Sequence, residues 1–299
     1  MVESGISDYP QTAPGTGNHG SETENFLLLF NAFFGFSEQP FNNTPDPHFF
    51  FTSRRHCEAL LSISFGVKQR RGFIVVTGEV GSGKTTLCRQ FLHQLSPEIK
   101  TAVILNPKIS GTHLLGSVIH DFGIECRGRT KRDYFEALNK FLIDGLGHEQ
   151  NACLIIDEAQ GLNVRLLEEI RLLSNLETSK QKLLQIVLLG QPELRDLLKK
   201  TSLRQLRQRI GVYAHLQGLD LEETQSYIHH RLTQAGSSPE QIWFAPQVVA
   251  KIHEVTRGIP RLVNTVCDRV LMAAYSQQTK EITSDVATCA FEELAFICA

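Results

Sequence analysis

The sequence predicts an α/β protein built on a parallel sheet of five strands, followed by a smaller helical domain. As far as Gly218, short aliphatic and β-branched runs alternate with helical patterns, an order typical of a parallel sheet covered by helices on both faces. After Gly218 the strand pattern stops, and apolar residues recur only at helical spacing. The 299 residues, of which 41% are hydrophobic, suffice for about two domains with buried cores.

The predicted elements follow one another in order from residue 54 to residue 218. A helix runs from residue 54 to about residue 65 and leads into the first strand. The five strands are predicted at residues 73–77, 102–105, 153–156, 183–189 and 212–216. Helical patterns fill the intervals, at residues 84–95, 114–122, 134–142, 166–176 and 193–210. Because the strands are apolar throughout, we expect the sheet to be buried on both faces.

The flanking segments differ in composition from this regular part. Residues 1–23 are rich in Gly, Ser, Thr, Pro and Asn, which predicts a flexible tail. Residues 24–52 are aromatic and contain three prolines, which predicts an irregular arm lying on the domain that follows. We assign residues 24–218 to the first domain with its arm, and residues 219–299 to the helical domain. Helices of the latter are marked by apolar residues at 221–232, 248–255, 262–270 and 286–294.

Composition excludes several classes of protein. With 30 Lys and Arg against 32 Asp and Glu, the surface as a whole does not carry the excess positive charge that attracts nucleic acid. Seven cysteines without a Cys-x-x-Cys pair argue against a zinc site or a disulfide framework. The apolar run at residues 26–36 is about half the length that crosses a bilayer. Since no Lys or Arg precedes Arg54, it also does not resemble an export signal, and we expect a cytoplasmic protein.

The strongest functional signal is Gly78-Glu-Val-Gly-Ser-Gly-Lys-Thr85, which matches GxxxxGK[ST] between a predicted strand and a predicted helix. In such a phosphate-binding loop (P-loop), glycines let backbone N–H groups turn toward an anion, and the helix amino terminus adds partial positive charge. Lys84 is expected to reach the β- and γ-phosphates of ATP, and the Thr85 hydroxyl to ligate Mg²⁺. The predicted nucleotide-binding residues are Gly78, Glu79, Val80, Gly81, Ser82, Gly83, Lys84, Thr85 and Thr86.

Two carboxylates end the third predicted strand, in the segment Cys153-Leu-Ile-Ile-Asp-Glu158. In a doubly wound sheet this strand end lies beside the P-loop. Asp157 is expected to hold Mg²⁺, directly or through water. Glu158 is expected to polarise the attacking water as the general base.

Three further segments carry candidate site residues. Gln191 ends the fourth strand, where its amide could orient the attacking water, although a plain strand-to-helix turn before Pro192 fits the same pattern. Arg204, Arg207 and Arg209 form a basic run that is either a solvated face or the source of an arginine finger, for which Arg209 is preferred. Pro260 suits the first position of a helix, so the side chain of Arg261 projects from the first turn of that helix. From there it could contact nucleotide phosphate across the domain cleft.

Taken in this order, these motifs resemble those of the AAA+ ATPases. Finer marks resemble the secretion-pathway A group, the ExeA-type ATPases: Gln39-Pro-Phe41, His56-Cys-Glu-Ala-Leu60, Asp157-Glu-Ala-Gln160, Leu189-Gly-Gln-Pro-Glu-Leu194, Gln208-Arg-Ile210 and Gly258-Ile-Pro-Arg-Leu-Val-Asn264. The resemblance covers residues 25–297. It implies an AAA+ P-loop domain with a C-terminal α-helical lid, Arg209 as the finger and Arg261 as the lid sensor. Larger members continue into a transmembrane segment and a periplasmic peptidoglycan-binding domain; because the sequence ends at Ala299, we expect a short form.

The resemblance implies a Mg²⁺-dependent ATPase that forms a homo-oligomer, which we expect to be a ring. We expect it to power or regulate assembly of an envelope secretion, pilus or export system, with a protein partner at the inner membrane. The alternative is a transposition or DNA-targeting ATPase that oligomerises on duplex DNA. Its support is a basic cluster at Arg127, Arg129, Lys131 and Arg132, with Lys68, Arg70 and Arg71. The same residues could belong to solvated loops that bind no DNA, and the net charge of −2 favours that interpretation. A third interpretation is a nucleotide-gated switch that hydrolyses ATP rarely.

Overall fold

The computed structural model describes residues 19–44, 46–105, 107, 110–147, 150–179, 181–238 and 241–294. Most of the predicted tail, residues 1–18, lies outside the described residues, whereas residues 19–23 belong to the first helix. In the first part of the chain the helices are α1 (His19–Phe34), α2 (Arg54–Lys68), α3 (Lys84–Gln94), α4 (Gly111–Asp121), α5 (Lys131–Leu146), α6 (Val164–Leu173), α7 (Pro192–Lys199) and α8 (Arg204–Arg207). The strands are β1 (Phe73–Gly78), β2 (Ile99–Ile104), β3 (Asn151–Ile156), β4 (Leu184–Gly190) and β5 (Ile210–Leu216).

The five strands form one parallel sheet in the order β2-β3-β4-β1-β5, which confirms the predicted fold class. The inner strands β1, β3 and β4 are buried along their whole length. Since all five strands are parallel, their carboxyl ends lie at one edge of the sheet. The P-loop after β1, the amide after β4 and the acids after β3 therefore stand side by side at this edge.

Alternating residues of the strands pack against helices on the two faces of the sheet. Phe73 and Val75 of β1 belong to a core that includes residues of α4, α5 and α6. Ile74 and Val76 face the other way and pack with residues of α2 and α3. The period of two along a strand thus divides an entirely apolar segment between two cores.

A third core belongs to the carboxyl-terminal elements α9 (Leu221–Gln234), β6 (Trp243–Phe244), α10 (Pro246–Thr256), α11 (Pro260–Ser276), β7 (Glu281–Ile282) and α12 (Ser284–Leu294). This part is not all-helical as predicted, because β6 and β7 form a parallel ladder of two residues each. A strand of two residues is too short to show an alternation of apolar and polar side chains, so the sequence pattern could not indicate this ladder.

The amino-terminal arm also differs from its prediction. Instead of being irregular, it begins with the 16-residue helix α1. The rings of Phe30 and Phe33 lie 5.4 and 5.5 Å from that of Tyr275 in α11, and Phe34 is fully buried. Aromatic residues three and four positions apart share one helix face, which explains why this segment is helical and packs on the C-terminal helices.

The helical pattern predicted over residues 193–210 is divided in the structure. Helix α7 ends at Lys199, because Lys200 adopts an extended conformation with φ −54° and ψ 140°. A 3₁₀ turn (Thr201–Leu203) and the short helix α8 follow. This break lets both Leu203 and Leu206 enter the core of the α/β domain.

Candidate nucleotide-binding site

A cleft of about 350 Å³ opens where the P-loop, the arm and the C-terminal helices meet. Its walls are formed by the P-loop with the ends of β3 and β4, arm residues 42–44, 46 and 49–51, His56 of α2, and helices α9 and α11. The predicted site residues that line it are Val80, Gly81, Gly83, Lys84, Thr85, Thr86, Glu158, Gln191 and Arg261. The structure therefore brings residues from separate motifs of the chain to one cavity.

The P-loop backbone depends on glycine at two positions. Gly81 and Gly83 have φ values of +81° and +92°, in the region that side chains other than glycine rarely adopt. A Cβ atom on Gly81 would also lie 2.4 Å from Cβ of Arg261. Helix α3 begins at Lys84 directly after this loop, so its unpaired first-turn N–H groups are available to an anion.

Lys84 is buried, and its ammonium group is held by the loop itself. Its Nζ donates to the carbonyl oxygens of Gly78 and Glu79 at 2.8 and 2.9 Å. Burial lowers the pKa of Lys84, while the negative charges of Glu158 and Asp157 act in the opposite direction. Glu79 and Val80 are exposed at the tip of the loop.

The donor set fits a phosphate group and Mg²⁺. The buried Ser82 hydroxyl oxygen has no hydrogen-bond partner among the described residues, so it is available to a phosphate oxygen. The Thr85 hydroxyl donates to Oδ2 of the buried Asp157 at 2.7 Å. A hydroxyl and a carboxylate held together in this way are hard oxygen ligands of the kind that Mg²⁺ takes in phosphate sites. Thr86, the last predicted P-loop residue, is half-buried beside them.

Glu158 is exposed to the cleft and carries a left-handed backbone, with φ +53°. Its Oε2 accepts hydrogen bonds from Nε2 of Gln160 at 2.5 Å and from Nε2 of Gln191 at 3.2 Å. The amide of Gln191, for which a role in orienting the attacking water was predicted, thus contacts Glu158. Gln160 also accepts from the Gln191 N–H at 3.0 Å. Its role was not predicted, although it lies within the motif Asp157-Glu-Ala-Gln160.

Helix α11 contacts the P-loop through its first turn. Pro260 occupies the predicted first helical position. The Arg261 N–H lies 3.3 Å from the Gly81 carbonyl oxygen, to which it donates, and its side chain is exposed at the cleft. Arg261 thus lines the same cavity as the P-loop.

The arm forms a wall of the cleft that the sequence did not predict. The buried Arg231 of α9 holds this wall, donating to the carbonyl oxygens of Pro40 and, at 2.8 Å, of Asn42. Its guanidinium carbon lies 4.3 Å from the centre of the Phe49 ring. Asn264 of α11 also lies beside the arm, with its Nδ2 3.3 Å from Oδ1 of Asn43.

The arginine run before β5 lies far from this cleft. Because β5 is parallel to β1, with Ile210 opposite Phe73 and Leu216 opposite Gly78, Arg209 stands at the amino edge of the sheet, roughly 20 Å from the P-loop. Nη1 of Arg209 donates to Oγ of Ser174 at 2.8 Å. The exposed Arg207 donates to the Lys199 carbonyl at the end of α7, and Arg204 is exposed. The structure does not bring any of these arginines to the P-loop of their own chain.

Comparison with known proteins bears on the family. A model of the AAA domain matches residues 67–198. General secretion pathway protein A of Aeromonas hydrophila is 39% identical over 266 residues, which cover 88% of this chain and 48% of that protein. The chain belongs to the AAA ATPases, in the secretion-pathway A group. This AAA ATPase spans about half the length of the curated relative that it matches.

Solved structures share the fold of this AAA ATPase at low identity. The ORC2 protein of Aeropyrum pernix, in its ADPNP-ADP complexes, gives a TM-score of 0.60 at 16% identity, over 86% of this chain and 72% of that chain. Cdc6p of Pyrobaculum aerophilum gives a TM-score of 0.61 at 17% identity, over 88% of this chain and 70% of that chain. A point variant of Thermotoga maritima RuvB gives a TM-score of 0.51 at 16% identity, over 82% of this chain and 70% of that chain.

Membrane spans and metal clusters can be judged over the part of the chain that the structure describes. None of the helices there is long and apolar enough to cross a membrane. Over the same residues, no group of three or more His, Cys, Asp or Glu side chains is arranged to hold a metal ion.

Proposed function

We propose that this chain binds ATP with Mg²⁺ and hydrolyses it, and that the cycle powers or regulates assembly of an envelope secretion, pilus or export system. The observation that carries the proposal is the Thr85–Asp157 hydrogen bond, which joins the P-loop to the acidic end of β3. Membership of the AAA ATPases supports the binding and hydrolysis of ATP. The matched secretion-pathway relative supports the role in assembly of an envelope system.

Binding is assigned to the P-loop and the lid. The N–H groups at the start of α3, the Ser82 hydroxyl and the Lys84 ammonium would hold the β- and γ-phosphates. Mg²⁺, held by Thr85 with Asp157, would supply positive charge against the phosphate oxygens. The exposed Arg261 would contact the phosphates from the lid side of the cleft.

Hydrolysis is assigned to Glu158. Its carboxylate accepts a proton from water as the water oxygen attacks the γ-phosphorus, and the bond to the β,γ-bridging oxygen breaks to give ADP and phosphate. The two hydrogen bonds from Gln160 and Gln191 both reach Oε2. Oε1 can therefore face the water while the amides fix the carboxylate.

Assembly into a homo-oligomer, a ring in our proposal, is supported by the position of Arg209. It lies at the sheet edge opposite its own P-loop, so it can act as a finger only at the site of a neighbouring copy. A head-to-tail interface repeats such a contact between successive copies. We place the working complex at the cytoplasmic face of the inner membrane, bound through a protein partner.

A DNA-directed role is the second candidate, and the ion pairs weigh against it. In the basic cluster that precedes and begins α5, Lys131 pairs with Glu169 at 2.6 Å and Arg132 pairs with Glu136 at 2.7 Å. These acids cancel part of the positive charge that a phosphate backbone would need. The case for DNA there depends on the neighbouring Arg127 and Arg129.

ATP turnover and calorimetry of the wild type and of Lys84→Ala test the activity. We expect Lys84→Ala to lose most ATP affinity and all turnover, whereas Lys251→Ala, on the exposed face of α10, should behave as wild type. Equal ATP affinity in all three proteins would refute the assignment. For the client, turnover is measured with a membrane-protein cytoplasmic segment from a secretion system and with duplex DNA. Stimulation by DNA alone, falling steeply with salt, would replace the secretion role by the second candidate.

A further inference from the structure

His56 of α2 is buried beside the P-loop at the wall of the cleft, and none of the catalytic steps proposed above uses it. Its Nε2 lies 3.1 Å from the carbonyl oxygen of Ser82, and its Nδ1 lies 2.7 Å from Oγ of Ser53. The ring of Phe50 stands edge-on to it, with ring centres 5.8 Å apart. A Cβ atom on Gly83 would come within 2.7 Å of Nε2, so the imidazole can approach this closely only because residue 83 is glycine.

The partners of the two ring nitrogens decide where the ring proton lies. A carbonyl oxygen can only accept, so the contact with Ser82 requires a proton on Nε2. The Ser53 hydroxyl can then donate to an unprotonated Nδ1, while its oxygen accepts the His56 backbone N–H as the cap of α2. Both contacts are satisfied by the neutral imidazole with its proton on Nε2. Burial, which lowers the pKa of His56, agrees with the neutral form.

The contact also fixes the orientation of the peptide between Ser82 and Gly83. In a planar trans peptide the C=O and N–H bonds point in opposite directions. Because the Ser82 carbonyl is directed at His56, the Gly83 N–H points away from His56. In that orientation it can join the backbone N–H groups that converge on a bound anion. Rotation of this peptide would remove that N–H from the anion site and present a carbonyl oxygen instead.

We propose that His56 is a positioning residue for nucleotide binding, whose Nε2–H holds the Ser82 carbonyl toward α2 and so keeps the Gly83 N–H directed at the phosphate. This inference rests on the proposed function, since it assumes that the P-loop binds a nucleotide. The contact of the Gly83 N–H would persist from bound ATP to the transition state. Its loss should therefore raise KM and leave kcat at saturation unchanged.

The test compares two substitutions at this position. His56→Leu removes the donor and keeps an apolar side chain of moderate size, whereas His56→Gln keeps an N–H donor at the reach of Nε2. We expect His56→Leu to raise the Kd for Mg²⁺ with a non-hydrolysable ATP analogue about tenfold, and KM by a similar factor. His56→Gln should stay within about threefold of wild type, because one neutral hydrogen bond is retained. Calorimetry gives Kd, steady-state turnover gives KM and kcat, and circular dichroism checks folding.

The outcomes separate this inference from the proposed function. If wild type binds no ATP, or Lys84→Ala binds it equally well, the proposed function fails. If wild type binds ATP and His56→Leu binds it equally well, or if Leu and Gln lose affinity alike, the positioning role is overturned. ¹⁵N NMR of the wild-type imidazole tests the same geometry even if His56→Leu does not fold. A neutral ring protonated on Nε2 supports the inference, and a proton on Nδ1 alone overturns it.

Discussion

Removing the Arg231 guanidinium should detach the arm from the lid and destabilise the C-terminal domain. In the folded chain Arg231 is 6% exposed, and its guanidinium group donates to two carbonyl oxygens and stacks over Phe49. In Arg231→Met the apolar stem is replaced, while the carbonyls of Pro40 and Asn42 lose their donor. The perturbation therefore removes polar contacts with little loss of volume.

The magnitude follows from those contacts. Hydrogen bonds from a charged donor are each worth about 1.5–3 kcal/mol, and a desolvated cation–π contact adds up to roughly 2 kcal/mol. Burial lowers the pKa of Arg231, so relief of this desolvation cost offsets part of the loss. We expect a net loss of about 3 kcal/mol in the free energy of unfolding, a large part of the roughly 5–15 kcal/mol of a typical domain.

Arg54 offers a control at another contact of the lid. It joins α2 to the lid through Asp220 at 3.0 Å, but its side chain is 70% exposed. An exposed ion pair of this kind is worth about 0–1 kcal/mol, so Arg54→Met should unfold almost as wild type does. The comparison separates loss of a buried guanidinium from loss of any arginine at the lid.

Two assays follow the predicted change. Trp243, the single tryptophan, lies in β6, so its fluorescence in urea reports on the C-terminal domain. Chymotrypsin probes the arm at residues 49–51, which are three consecutive phenylalanines. Arg231→Met should unfold at lower urea and be cleaved faster there, whereas Arg54→Met should not. A loss below about 1 kcal/mol, or equal effects of the two substitutions, would refute the reasoning.

Three further predictions concern the catalytic cycle. Glu158→Gln keeps the shape of the side chain but removes the base, so ATP should bind and accumulate unhydrolysed; turnover within twofold of wild type would exclude Glu158 as the base. Arg261→Ala should weaken protection of the segment near Gly218 from protease by ATP, and equal protection in both proteins would place the lid contact elsewhere. Arg209→Ala and Glu158→Gln should each be nearly inactive, whereas their co-assembled mixture should regain about a quarter of wild-type turnover by random pairing at head-to-tail interfaces. A mixture that co-assembles and stays inactive would exclude Arg209 as a finger in trans.

Local pattern alone determined the central architecture of this protein. Apolar runs and helical spacing predicted all five strands of the sheet, with ends close to those observed. The P-loop and the acids after β3 could be recognised because their spacing along the chain is itself the chemical signal. Parallel topology then brings the ends of β1, β3 and β4 to one edge, so the proximity of Thr85 and Asp157 also followed from the sequence.

Tertiary packing alone decided the rest of the cleft. Arg231 and Pro40 are 191 residues apart, and His56 and Ser82 are 26 apart, with no periodic pattern that links either pair. The arm was predicted to be irregular because of its three prolines, although Phe30, Phe33 and Phe34 in its first part recur at helical spacing. It became a helix and a cleft wall because its phenylalanines are buried against the C-terminal helices. Apolar burial is non-directional, so a sequence shows that such residues must be covered but not which distant surface covers them.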